Sequence, residues 1–85
     1  MDFMLEEELV DLVTFCLQNP GSNVHEQERR ITEIGRLLYA DGGVDAMENF
    51  FHVVRNRVNG EIKKDPLPLR SLWNGITSEW QYYQH

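Results

Sequence analysis

The sequence predicts an all-α protein: a compact four-helix domain over residues 1–85, either a bundle or an orthogonal array, with a central helical hairpin broken at Asp41-Gly42-Gly43. Three observations predict it. Apolar residues recur at spacings of three and four through four separate stretches, which is one face of a 3.6-residue helix and not the alternation of a strand. Turn chemistry separates the stretches at Asn19-Pro20-Gly21, Asp41-Gly42-Gly43 and Asn59-Gly60. The chain also lacks the low-complexity runs and extreme charge of disordered proteins.

The first helix is expected over residues 3–17, with Leu5, Leu9, Leu12, Val13, Cys16 and Leu17 on one face and Asp2 as N-cap. Glu6, Glu7 and Glu8 fall near the positive end of its dipole, where adjacent acids are tolerated, and read as a solvated first turn. Proline disfavours helix at the residue before it, so Asn19-Pro20-Gly21-Ser22-Asn23 ends this element. The second helix is expected over 24–40. Asn23 and Glu26 match a capping-box pattern, and Glu26 and Arg30 are spaced for an ion pair worth about 0.2–0.5 kcal/mol. Ile31, Ile34, Leu38 and the carbon stem of Gln27 form its apolar stripe. Gly35 lies beside that stripe at a cost near ~1 kcal/mol relative to Ala, and the expected compensation is close approach of another helix.

Gly42 or Gly43 then closes the helix in a conformation that a Cβ would hinder. The third helix is expected over 44–58, with Val44, Met47, Phe50, Phe51, Val54 and Val58 on one face and a stop at Asn59-Gly60. Asp65 as N-cap and Pro66 at the first helical position open the fourth, expected over 66–82 on the stripe Leu69, Leu72, Trp73, Ile76 and Trp80.

The formal net charge is −6 and unevenly spread. Residues 1–28 hold seven acids and no Lys or Arg, whereas residues 29–70 hold all eight bases against six acids. This balance opposes non-specific attraction to nucleic acid or anionic lipid and suits a basic protein partner. Cys16 is the single cysteine, so no intrachain disulfide forms, and its place on the leucine stripe predicts a buried, inert thiol. Met1 leads into acids where a secretory signal would show a basic start, and no apolar run reaches the roughly 18 residues of a membrane span. The expected setting is cytoplasmic.

No residue pattern specifies an activity. The best catalytic candidates are Glu48, His52 and Arg55, whose spacings of four and three let them share one face of the third helix, where a carboxylate could tune the imidazole as an acid or base. The same pattern also describes an ordinary solvated helix face. His25, His52 and His85 lack paired metal-ligand spacing, and Asp41-Gly42-Gly43 is not followed by the Lys-Ser or Lys-Thr of a phosphate loop, so neither metal nor cofactor is expected.

The leading expectation is a non-enzymatic protein-interaction module, self-associating or engaging another protein. Its expected contact residues are the aromatic end, Trp80, Tyr82 and Tyr83, and the acids Glu6, Glu7 and Glu8. The alternative is a small enzyme or ligand-binding subunit using Glu48, His52 and Arg55. Behind these stand an acidic inhibitor of a basic partner and a nucleic-acid-binding hairpin. The hairpin is disfavoured because its recognition helix would open by presenting Asp45 and Glu48 to the phosphates.

Overall fold

The computed structural model describes residues 3–82. Regular structure among them is helical throughout: α1 (Phe3–Gln18), α2 (His25–Ile62), a 3-10 helix (Leu67–Trp73) and α3 (Glu79–Tyr82). Asp2, the expected N-cap of the first helix, and Tyr83 and His85 lie outside the described residues.

An unbroken helix of 38 residues would be about 57 Å long, yet the greatest extent of the molecule is 30 Å. α2 is therefore folded back on itself. The break falls at Gly42 (φ −147°, ψ 15°) and Gly43 (φ 73°, ψ −162°), and the latter is a conformation open essentially to glycine alone. Helical phase explains why a break is needed. At roughly 100° per residue, a straight α2 would carry Ile31, Ile34 and Leu38 on the face opposite Met47, Phe51, Val54 and Val58. No single core could cover both stripes. Folding at the two glycines turns them toward each other, and all seven side chains are buried.

α1 completes this core with Leu9, Val10, Val13 and Cys16. It runs antiparallel to the first limb of α2, residues 25–41, since Leu5 lies near Leu37 and Leu38 while Glu8 meets Arg30. Relative to the second limb, residues 44–62, α1 is parallel: Leu5 lies near Phe50, Glu6 reaches Arg57, and Lys64 Nζ donates to the carbonyl of Leu17 at 3.2 Å.

The limits of α2 differ from those the sequence suggested. The helix starts at His25, one residue later than expected, with Val24 and not Asn23 at the N-cap, although Asn23 Oδ1 accepts from the backbone N–H of His25 at 3.0 Å. Glu26 does not close a capping box and pairs with Arg29 rather than Arg30. At the other end, Gly60 does not stop the helix. The chain stays helical to Ile62, and Lys63 takes the left-handed conformation (φ 58°, ψ 34°), its N–H bonded to Asn59 O at 3.0 Å. A lysine there carries a Cβ clash that glycine avoids. Lys63→Gly is expected to stabilise the protein by roughly 0.5–1 kcal/mol, read as a higher urea midpoint with an unchanged m-value.

The expected fourth helix over 66–82 is not one α-helix. Leu69 N bonds to Pro66 O, Asn74 N to Ser71 O, Ile76 N to Trp73 O and Trp80 N to Thr77 O, each closing three residues back. These are 3-10 closures and turns, with Thr77 Oγ1 accepting from Glu79 N–H at 3.3 Å ahead of the single turn of α3. The geometry follows from the two indoles. Trp73 Nε1 donates to Ile31 O at 2.8 Å and Trp80 Nε1 to Arg70 O at 2.7 Å, so the segment must dock on α2 and then fold back over its own start. A straight α-helix does neither.

Candidate functional site

Glu48, His52 and Arg55 share a helix but not a site. Glu48 is turned into the protein and meets Arg70 Nη1 at 2.8 Å. Arg70 in turn lies over the Trp80 ring at 3.7 Å and 5.9 Å from the Phe51 ring, in an aromatic cluster where Phe51, Trp73 and Trp80 meet edge-on or tilted. Arg55 makes a two-bond fork to Asp65, both at 2.8 Å, and Asp65 Oδ1 also accepts from Leu67 N–H, which starts the 3-10 helix. His52 remains on the surface, 3.3 Å from Asn56 Nδ2. Each member of the expected face therefore has a different partner, and the arrangement offers no acid, base and nucleophile converging on one point.

The acidic run is not a solvated first turn. Glu6 and Glu7 both engage Arg57, and Glu8 forms a fork with Arg30 at 2.7 and 2.9 Å. These acids hold α1 against both limbs of α2, which reduces the negative surface an acidic inhibitor would need. The hydrogen bonds from Arg30 hold the Glu8 carboxyl below its ordinary value of 4.5, against a smaller opposing effect of burial. Those from Arg55 hold Asp65 below 3.8, again against burial.

Both carboxyls thus bind protons more weakly folded than unfolded. Their contribution is complete above the unfolded values and is lost as the pH falls through the lower folded ones. Melting temperature is expected to decline on acidification from about pH 5 downward, and Arg30→Gln should flatten part of that decline. An unchanged acid limb in Arg30→Gln would count against the Glu8 fork. Both carboxyls are substantially exposed, so the effect is modest.

The aromatic end is placed differently from expectation. Trp80 is wholly buried and cannot form a contact surface, whereas Tyr82 is 82% exposed. Tyr83 lies outside the described residues. Cys16 is buried as expected, and desolvation, then the nearby Glu28 charge, push its thiol upward.

The surface feature that sequence reasoning missed lies at the hinge end. A groove of about 380 Å³ is lined by Leu5, Leu37, Leu38, Asp41, Ala46, Asn49 and Phe50. It lies between the two limbs of α2, on either side of Gly42-Gly43, and the first turn of α1. Leu37 is 52% exposed, and Phe3 and Met4, just ahead of Leu5, are 66% and 77% exposed. The available signal was the adjacent pair Leu37-Leu38, since the helical stripe accounts for one leucine and leaves the other outside. A second cleft, about 450 Å³, is bordered by Leu67, Pro68, Arg70, Ser71, Asn74, Trp80 and Gln81, and its arginine is engaged with Glu48.

Among the described residues no group of three or more His, Cys, Asp or Glu could hold a metal ion, and no helix is long and apolar enough to cross a membrane. Comparison with protein-family models, with curated proteins and with solved structures finds no match to this chain.

Proposed function

We propose that this chain is a non-enzymatic protein-interaction module of the cytoplasm, and that its working face is the hinge end. The observation that supports this is the coincidence of an apolar groove with three large exposed apolar side chains, Phe3, Met4 and Leu37, at one end of a small acidic domain. Phe15, Tyr39, Leu67 and Tyr82 are exposed as well, but none of them lines this groove. Contiguous exposed apolar surface of this kind marks interaction sites in soluble proteins. The partner element that suits it is a helix or turn presenting one or two bulky apolar anchors, with Asp41 at the mouth to meet a donor or a positive charge.

Selection from a random peptide library on immobilised protein tests this. Peptides that bind are expected to carry apolar anchors and to lose binding to Leu37→Glu, a surface substitution that leaves the core intact. Recovery of binders indifferent to Leu37→Glu would move the working face elsewhere. Tyr82 and the second cleft would then be the next region to probe.

A further inference from the structure

We infer that Asn74-Gly75 is a modification site, where the chain reacts with water to give aspartate and isoaspartate and so loosens the turn that leads into Trp80. The site is independent of the hinge-end face. The backbone nitrogen of Gly75 attacks Asn74 Cγ and gives up its proton, and the side-chain nitrogen leaves as ammonia, which closes a succinimide ring. Water then opens the ring. Breaking the bond from nitrogen to Cγ gives aspartate with the original main chain, whereas breaking the bond from nitrogen to the Asn74 carbonyl carbon gives isoaspartate, whose main chain runs through Cβ and Cγ. No oxidant or reductant is needed.

The residue after an asparagine governs this attack, because its side chain crowds the approach of its own backbone nitrogen. Glycine has none. Asn19 precedes Pro20, which has no N–H to give up, and Asn23, Asn49 and Asn56 precede Val24, Phe50 and Arg57. That leaves Asn59-Gly60 and Asn74-Gly75. Asp41-Gly42 shares the glycine, but a carboxylate is a poorer electrophile than a carboxamide.

The fold separates the two remaining pairs. Both asparagines are exposed, so access of water does not decide between them. Asn59-Gly60 lies within α2, where Gly60 N–H belongs to the helical ladder and Asn59 O accepts from Lys63 N–H at 3.0 Å. Rotating that peptide toward its side chain would break the last turn of the helix. Asn74-Gly75 instead follows the 3-10 helix, inside a turn closed by Ile76 N–H donating to Trp73 O at 3.1 Å. Among the described residues neither Gly75 N–H nor the Asn74 carboxamide has a hydrogen-bond partner. A Cβ at Gly75 would meet nothing within 4 Å, so the peptide has room to rotate. Nucleophile and electrophile are both uncommitted. The same turn gives the product its effect, because Trp73 is pinned through Nε1 to Ile31 O and Trp80 through Nε1 to Arg70 O. Isoaspartate lengthens the main chain between these anchors by a carbon, while aspartate leaves it unchanged.

The experiment is incubation of the full chain, folded and in denaturant, in mildly alkaline buffer, followed by chromatography and mass spectrometry of its tryptic peptides. Asn59 falls in residues 58–63 and Asn74 in residues 71–85, so each pair is read separately. In the folded protein Asn74 is expected to convert at least about tenfold faster than Asn59, and in denaturant the two rates should converge. Gly75→Ala should slow conversion at residue 74 at least about tenfold and leave residue 59 unchanged, and the open space beside Gly75 lets this variant fold. The isolated isoaspartyl form is expected to have a lower urea midpoint than Asn74→Asp. Conversion at Asn74 no faster than at Asn59 in the folded protein overturns the inference, as does an undiminished rate in Gly75→Ala. A difference that persisted in denaturant would place the selectivity in the local sequence and overturn the role given to the fold. Equal urea midpoints for the isoaspartyl form and Asn74→Asp would overturn the loosening of the turn.

Discussion

Gly35→Leu is expected to lower stability by about 3 kcal/mol or more, enough to remove a large share of the folding free energy of a domain this small. A Cβ at residue 35 would stand 2.5 Å from Trp73 Nε1, 2.7 Å from Trp73 Cδ1 and 2.7 Å from Ile76 Cδ1. Trp73 cannot yield, because its ring is fully buried and its Nε1 donates to Ile31 O, one helical turn before Gly35. The missing side chain is therefore what lets the indole lie against the helix and reach a backbone carbonyl. Any larger residue forces the ring outward and leaves a buried donor without its acceptor, at a cost of about 1–3 kcal/mol, besides the overpacking itself. Even Gly35→Ala should destabilise, despite a gain of nearly ~1 kcal/mol in helix propensity. Urea denaturation followed by tryptophan fluorescence would report it. Stability equal to wild type in Gly35→Leu would mean that the indole has another seat.

The Gly35 contact was foreseeable because a glycine on an apolar stripe has few other uses, although its neighbour is a 3-10 segment and not the helix expected. The hinge at Gly42-Gly43 was readable for a related reason: two stripes out of phase cannot belong to one straight helix. Local patterns end there. The partners of Glu6, Glu7 and Glu8 lie 22 to 51 residues away in sequence, and spacing along a chain carries no information about such pairs. The stripe Leu69, Leu72, Trp73, Ile76 and Trp80 misled because three-residue and four-residue spacings serve a 3-10 helix with turns as well as an α-helix. Glu48 was read as surface because it is charged, yet Arg70, 22 positions later, makes its burial tolerable. The hinge-end groove was hidden since its walls come from three helical segments and only Leu37 stood out within its own.

Arg70→Ala is expected to cost about 3–5 kcal/mol, the usual penalty for removing one member of a buried ion pair. Three contacts are lost together. The guanidinium leaves Glu48, its stacking on Trp80 at 3.7 Å is gone, and so is its donation to Trp80 O at 3.3 Å. The larger part of the loss lies in what remains, since the Glu48 side chain keeps only 6% of its exposure and would lose its arginine partner. That account has a consequence. The double substitution Glu48→Leu/Arg70→Met should be markedly more stable than Arg70→Ala, since it removes both charges and keeps most of the apolar volume. A double-mutant cycle by urea denaturation measures it. If the double variant were no better than Arg70→Ala, the arginine would act as a cover for Trp80, and its pairing with Glu48 would contribute nothing to holding the C-terminal segment on α2.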